Sequence, residues 1–127
     1  MSTEAAVMTT KEVANRFNEL GQTGQYDKIQ QELYADNAVS IEPEHAHNMG
    51  MPNAEGIEAI RKKGENFNAM VEEMHGGYST EPVVAGNFFT VAMGMDVTFK
   101  GAGRMKMDEI ALYEVKDGKI VREQFFY

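Results

Sequence analysis

Apolar residues recur every three or four positions in the first part of this chain and every two positions in the second. The helical spacing predicts three helices, which begin near Thr9, Tyr26 and Gly56. After Gly76-Gly77 the period changes to two, which predicts a run of antiparallel strands. Helices followed by strands are typical of an α+β fold, so we predict three N-terminal helices packed on a curved, mostly antiparallel sheet.

The first helix has a clear start and a clear end. Thr9 and Glu12 form a capping-box pattern, and glycines from Gly21 to Gly24 end the apolar repeat. The second helix is predicted over Tyr26 to Leu33, followed by a short strand from Ala38 to Glu42 and a loop from His45 to Asn53.

The longest helical pattern runs from Gly56 to Met74 and has one apolar face. Gly64 lies inside it, and glycine costs about 1 kcal/mol in a helix interior relative to alanine. We therefore expect a close contact that favours a residue without a side chain at this position. The basic run Arg61-Lys62-Lys63 is interpreted as a solvated helix face.

Four strands are predicted after this helix, joined by glycine-containing turns, of which Asp117-Gly118 is the strongest hairpin signal. Their ranges are Tyr78 to Val84, Phe88 to Phe99, Arg104 to Val115 and Lys119 to Tyr127. In the third of these strands the apolar alternation changes between Met107 and Ile110. A β-bulge near Asp108 or Glu109 would reconcile the two halves.

Composition limits the classes of function. The 127 residues fit one domain, residues 1–127, and the net charge of −8 disfavours nucleic acid as a partner. The chain has no cysteine, which excludes disulfides and thiolate chemistry. No apolar stretch is long enough for a membrane span, and Met1 to Thr10 lacks the pattern of a secretory signal, so we expect a cytoplasmic protein with no membrane partner.

Glu42 is the most informative single residue, because it follows an apolar strand and directly precedes Pro43. A carboxylate leaving an apolar strand toward the interior is costly unless it has a partner or a chemical role. Two interpretations stay open: a functional carboxylate, or a structural one bonded to a loop amide or paired with a basic side chain.

Four segments together resemble the nuclear transport factor 2-like superfamily, and within it the SnoaL-like and ketosteroid-isomerase-like proteins. They are Arg16-Phe17-Asn18-Glu19-Leu20, Tyr34 to Pro43, Gly56-Ile57-Glu58-Ala59-Ile60 and Asp117-Gly118-Lys119-Ile120-Val121. The resemblance implies a cystatin-like α+β cone that is often dimeric through its sheet. Members of the superfamily include isomerases, cyclases, dehydratases, transport adaptors and many proteins without known function.

The resemblance also implies roles for individual residues. Glu42 occupies the position of the general base in the isomerases, and either Asp108 or Glu109 that of the protonated acid that donates to the enolate oxygen. One of this pair is expected to face inward and the other outward. In the other interpretation, both Asp108 and Glu109 are surface charges. Phe17 takes the position of a second oxyanion donor, a tyrosine in the isomerases, so steroid isomerisation is disfavoured.

Other residues are predicted to bind a ligand. The chain has ten methionines, and methionine suits adaptable apolar pockets, although most are interpreted as core. The predicted pocket residues are Phe17, His45, His47, Phe67, Met70, Met74, Met93 and Met107. The two histidines are interpreted as loop-exposed or pocket-lining, because their spacing fits no metal motif. We predict no metal and no cofactor.

The segment Gln124-Phe125-Phe126-Tyr127 places large rings on both faces of the last strand. An outer apolar face predicts a homodimer that forms through the sheet. Together the residues predict acid–base chemistry of isomerase, cyclase or dehydratase type on an apolar or carbonyl-containing small molecule. The alternative is a non-catalytic domain that binds a ligand or a protein.

Overall fold

The computed structural model describes residues 7–127. Residues 1–6, part of the segment considered above for a secretory signal, lie outside the described residues. The helices are α1 (Thr10–Gln22), α2 (Tyr26–Leu33), α3 (Glu44–His47) and α4 (Ile57–Met70). The strands are β1 (Tyr34–Ile41), β2 (Ala54–Glu55), β3 (Val71–Ser79), β4 (Val83–Ala85), β5 (Phe88–Phe99), β6 (Gly103–Lys116) and β7 (Lys119–Phe126).

Helix α1 begins with the capping box that the sequence predicts. The Thr9 hydroxyl accepts from the Glu12 backbone N–H at 3.1 Å, and the Thr9 N–H donates to Glu12 Oε1 at 2.9 Å. Two N–H groups at the helix start, which have no partner within the helix, are thereby satisfied. One face of the helix is buried, and it consists of Val13, Ala14, Phe17 and Leu20.

One mostly antiparallel sheet covers the helices, and the fold is α+β as predicted. Its strand order is β2-β1-β7-β6-β5-β3, with β4 paired to β5, and β1 and β7 are the parallel pair. The core lies between the helices and the inner face of the sheet. Its largest fully buried side chains include Leu20, Leu33, Phe89 and Ile120.

The prediction that the long helix reaches Met74 was wrong. Helix α4 ends at Met70, and Val71 already has extended backbone angles. Strand β3 starts there because its residues pair with β5, with Val71 opposite Phe99 and Met74 opposite Val97. Inter-strand hydrogen bonds supplied by a distant segment thus outweigh the local helical periodicity.

The predicted bulge near Asp108 or Glu109 is also absent from the described sheet. The β5–β6 register continues without a shift, placing Gly94 opposite Asp108 and Met93 opposite Glu109. The apolar alternation changes because both faces of β6 carry apolar residues, with Ile110 on the outer face and 46% exposed. The register shift lies instead between β6 and β7, at Glu114 and Val115.

Two other local predictions can be compared with the structure. Asp117 and Gly118 both have positive φ, 51° and 75°, as a two-residue type I′ hairpin turn requires, so the predicted turn is confirmed. The segment predicted as a loop contains a short helix, α3, and the two-residue strand β2 follows it. None of the helices in residues 7–127 is long and apolar enough to cross a membrane.

Candidate functional site

A cavity of about 1060 Å³ lies between the helices and the inner face of the sheet. Helices α1, α2 and α4 contribute to its wall, together with inward-facing residues of β3, β5, β6 and β7. The wall is mostly apolar, and the buried polar residues Ser40, Glu42, Lys63 and Glu123 lie together where β1 ends beside α4. A concave, mainly apolar surface with a few converging polar groups is typical of a small-molecule site.

The central polar contact joins Glu42 to Lys63. Strand β1 ends at Ile41, so Glu42 leaves the sheet toward the interior, where Lys63 of α4 meets it. Lys63 Nζ lies 2.7 Å from Glu42 Oε2, and the two side chains are only 8% and 3% exposed. The interpretation of Lys63 as part of a solvated helix face was therefore wrong.

Two further groups hold Glu42. The Tyr127 hydroxyl donates to Glu42 Oε1 at 2.7 Å, and the Glu42 backbone N–H donates to Asn53 Oδ1 at 2.8 Å. Both carboxylate oxygens therefore accept a hydrogen bond, one from an ammonium and one from a phenol. Burial and the bonded Glu42 carboxylate raise the pKa of Tyr127, which keeps the phenol protonated as a donor.

A second buried carboxylate, Glu123 of β7, lies beside this pair. Its two oxygens accept from Ser40 Oγ, at 2.6 Å, and from the Tyr34 hydroxyl. Lys63 also donates to Ser40, so the serine connects the Glu42 and Glu123 contacts. Burial raises the pKa of Glu123, and the two hydroxyl donors partly oppose that shift.

Glu109 of β6 is a further carboxyl group on the cavity wall. Burial, followed by the nearby charges of Glu42 and Glu123, raises the pKa of Glu109 to about 7. Among residues 7–127, no side chain forms a hydrogen bond with its carboxyl group. A carboxyl with this pKa, free of protein partners, can donate or accept a proton near neutral pH.

Asp108, the neighbouring candidate, lies on the outer face of the sheet. It is exposed, and it accepts a 2.7 Å hydrogen bond from the Tyr78 hydroxyl across Gly94. The strand alternation therefore brings Glu109 to the cavity and takes Asp108 away from it.

The structure also divides the predicted ligand-binding residues. Those that line the cavity are Phe17, Phe67, Met74, Met93 and Met107, whereas Met70, His45 and His47 do not line it. His45 packs edge-on against Tyr127, with ring centroids 5.5 Å apart, and His47 lies 3.2 Å from Asn53 Oδ1. The described part of the chain contains no group of three or more residues suited to hold a metal.

Helix α1 contacts the sheet through three aromatic rings. They belong to Phe17 of α1, Phe89 of β5 and Tyr113 of β6. The Phe17 and Tyr113 ring centroids lie 4.7 Å apart, and Tyr113 stacks on Phe89 at 4.8 Å. Phe17 therefore brings a ring without a hydroxyl to the cavity wall, while Tyr113 brings a phenol to the same region.

Sequence reasoning missed Lys63, Glu123, Tyr113 and Tyr127 as site residues. For Lys63 a signal existed, because it lies three residues after buried Ile60 and four before Phe67, on the apolar face of α4. For Glu123 no such signal existed, because the shift in the β6–β7 register decides which face it occupies.

Gly64 lies on the cavity wall rather than in a close helix contact. A Cβ atom added there would meet nothing within 4 Å, so the expectation of a tight contact was wrong. The missing side chain instead leaves space in the cavity one residue after Lys63.

Comparison with known proteins agrees with this architecture. The family model of the SnoaL-like domain matches residues 8–127, and the chain belongs to this family. A proposed SnoaL-like polyketide cyclase from Mesorhizobium loti is 37% identical with a TM-score of 0.83, over 94% of this chain and 100% of the other. No significant match was found among curated proteins.

Two more distant structures share the fold. A protein with a ketosteroid isomerase-like fold from Catenulispora acidiphila, solved in complex with trimethylamine, is 20% identical to this chain. The match has a TM-score of 0.69 and covers 94% of this chain and 87% of the other. A protein of unknown function with a cystatin-like fold from Xanthomonas campestris is 15% identical to this chain. The match has a TM-score of 0.72 and covers 94% of this chain and 90% of the other. At these identities the likeness shows the fold alone.

Proposed function

We propose that this protein is an acid–base enzyme that moves a proton on a small, mainly apolar carbonyl compound held in the cavity. The observation that carries the proposal is the contrast between two carboxyl groups on one cavity wall. Glu42 is paired with Lys63 and Tyr127, whereas Glu109 has no protein partner among the described residues and a pKa near 7. A carboxylate held by hydrogen bonds and an unbonded carboxyl group with a raised pKa suit the roles of base and acid.

In the proposed reaction Glu42 is the base and Glu109 the acid. Glu42 removes a proton from the carbon next to the carbonyl, and the electron pair of the broken C–H bond forms a carbon–carbon double bond. The carbonyl π electrons move to its oxygen, which Glu109 stabilises by donating a hydrogen bond or its proton. Isomerisation follows if Glu42 returns its proton to another carbon, and cyclisation if the enolate attacks a second carbonyl of the same molecule.

Membership in the SnoaL-like family and the similarity to the Mesorhizobium loti protein support a role of cyclase or isomerase type. The absence of a hydroxyl at Phe17 argues against steroid isomerisation. Five carboxyl groups line the cavity against two cationic side chains, Arg61 and Lys63, and this excess of acids favours a neutral over an anionic ligand.

Solvent exchange tests the proposal without knowledge of the natural substrate. With 1-tetralone as the probe in deuterated water, we expect the protein to accelerate loss of the C2 proton signal in NMR spectra. Glu42→Gln should lower the protein-dependent rate about 100-fold or more, and Glu109→Gln about 10- to 100-fold. Glu81→Gln, a change at an exposed carboxylate, is the matched control and should leave the rate unchanged. A rate equal to that of buffer, or one that Glu42→Gln leaves unchanged, refutes the proposed chemistry.

A ligand-binding role without turnover is the second candidate, and one observation favours it. Both Glu42 oxygens already accept hydrogen bonds from the protein, so this carboxylate is bonded as a structural group would be. Saturable binding of 1-tetralone in the cavity without accelerated exchange would establish this alternative.

We also propose that the protein forms a homodimer through the outer face of its sheet. Phe88, Ile110 and Phe126 are 43%, 46% and 48% exposed on that face, and Ile110 lies directly opposite Phe126 in the β6–β7 pair. An apolar patch on a sheet surface is stabilised when a second copy covers it, and symmetric dimers are the commonest oligomers.

A further inference from the structure

Tyr113 has an unusual combination of burial and hydrogen bonding. Its side chain is only 3% exposed, on the inner face of β6, and it lines the cavity. Within residues 7–127, no hydrogen bond involves its hydroxyl, although the other two phenols of the site, buried Tyr34 and the more exposed Tyr127, each donate to a carboxylate.

The hydroxyl of Tyr113 is nevertheless not sealed in the core. Over the same described range, every fully buried side-chain oxygen or nitrogen has a hydrogen-bond partner. A phenol oxygen with no partner in that range must therefore lie at a surface, and for a side chain so deeply buried that surface is the cavity. A buried donor facing an apolar cavity is costly unless a ligand or a water accepts from it.

The surroundings keep this hydroxyl protonated. Burial, with the nearby charges of Glu123 and Glu109, raises the pKa of Tyr113 well above 10. The Tyr113 ring is fixed between Phe17 and Phe89, so the position of its hydroxyl is set before a ligand enters. At neutral pH the group is therefore an oriented hydrogen-bond donor.

Tyr113 and Glu109 lie four residues apart on one strand and face the same side. The rise of a strand separates their Cα atoms by about 13 Å, and this spacing favours contact with two different atoms of a ligand over contact with one.

We infer that Tyr113 is a binding residue that donates a hydrogen bond to a second oxygen of the ligand, remote from the carbonyl that Glu109 contacts. The inference rests on the proposed function for the identity of the cavity as the ligand site. It adds a substrate class: an apolar, ring-sized carbonyl compound with a further hydroxyl or carbonyl oxygen on its other side. A simple hydrocarbon ketone would leave the Tyr113 hydroxyl without an acceptor.

A pair of probes that differ by one hydroxyl tests this inference. The probes are 1-tetralone and 6-hydroxy-1-tetralone, which carries a hydroxyl on the ring edge away from the carbonyl. We expect the wild-type protein to bind the hydroxylated probe about three- to tenfold more tightly by isothermal titration calorimetry, the range of one neutral hydrogen bond. In Tyr113→Phe, which removes only the hydroxyl, this preference should disappear.

Tyr78→Phe is the matched control, because the Tyr78 hydroxyl is already bonded to Asp108 on the outer face. The preference for the hydroxylated probe should persist in this variant. Equal affinity of the two probes for the wild-type protein, including undetectable affinity for both, or a preference that survives Tyr113→Phe, overturns the inference.

A crystal structure without ligand provides a measurement that needs no probe and no variant. An ordered water bonded to the Tyr113 hydroxyl and lying in the cavity supports the inference, whereas a protein acceptor for that hydroxyl refutes it. The exchange assay with 1-tetralone does not involve the second oxygen. Failure of turnover at Glu42 and failure of recognition at Tyr113 are therefore separate outcomes.

Discussion

Lys63 Nζ lies 2.7 Å from Glu42 Oε2, and this pair joins the middle of α4 to the end of β1 inside the protein. Removal of one member of a buried ion pair leaves the other charge without compensation. The pair therefore contributes to the fold as well as to the site, and it links the stability of the protein to the residue proposed as its base.

Glu42→Gln should destabilise the protein by about 3 kcal/mol, because Lys63 would keep its charge in a buried position without a carboxylate. Urea unfolding of the wild type and the variant measures this difference. The double variant Glu42→Gln with Lys63→Met removes the uncompensated charge, so we expect it to be more stable than the single variant. If Glu42→Gln alone is as stable as the wild type, the ion pair contributes nothing to folding.

Stability should fall as the pH rises from about 4.5 to about 7, because of Glu109. Its pKa is about 7 in the folded protein and near 4.5 when unfolded, so the folded state binds more protons across this window. The contribution of Glu109 to the free energy of unfolding is fully present below pH 4.5, declines as the pH rises from 4.5 to 7, and is lost above pH 7. The total change has a limit of about 3 kcal/mol.

The comparison of wild type with Glu109→Gln isolates this effect, since other carboxyls such as Glu123 titrate in both proteins. Urea unfolding at pH 5, 6, 7 and 8 should give a difference between the two proteins that changes steadily with pH. A difference that stays constant from pH 5 to pH 8 would show that the pKa of Glu109 is not raised.

Gly94→Ala should destabilise the protein by about 1–3 kcal/mol. A Cβ atom at this position would lie 2.7 Å from Asp108 Oδ1 and 2.8 Å from the Met107 carbonyl oxygen, and it would also strike the ring of Tyr78. The Tyr78 ring lies over the bare backbone of Gly94, so the ring and the Asp108 contact would both have to move. Thermal unfolding checks the prediction.

Gly64→Ala is the control for that substitution, because an added methyl group there meets no atom within 4 Å. Alanine favours a helix interior over glycine by about 1 kcal/mol, so this variant should be as stable as the wild type or more stable. A loss of stability in Gly64→Ala similar to that in Gly94→Ala would contradict the steric explanation.

Ile110→Asp should convert the proposed dimer to a monomer, since it places a charge at the centre of the outer apolar face. Size-exclusion chromatography with light scattering measures the molar mass. Glu114→Asp, on the same strand and without loss of apolar surface, is the control and should stay dimeric. A wild-type protein that is monomeric at all concentrations tested would refute the proposed dimer.

The sequence predicted the local elements well wherever local chemistry decides them. The capping box at Thr9 and the hairpin turn at Asp117-Gly118 form as expected, because the groups that stabilise them lie within a few residues. The end of α4 was misplaced because the partner of Val71, Phe99, lies 28 positions along the chain. The four segments that carry the resemblance, from the first helix to the Asp117-Gly118 turn, were together sufficient to recognise the family.

What the sequence determined by itself is the α+β class, the order of the three longer helices and the long C-terminal strands, and the position of Glu42 at the end of a strand, since periodicity and turn chemistry are local properties. Only the tertiary structure decided that Lys63 and Tyr127 hold Glu42, that Glu109 rather than Asp108 faces the cavity, and that Glu123 is buried. These facts depend on strand register and on the distance between segments far apart in the chain. A shift of one residue in register exchanges the two faces of a strand, and no local pattern specifies it.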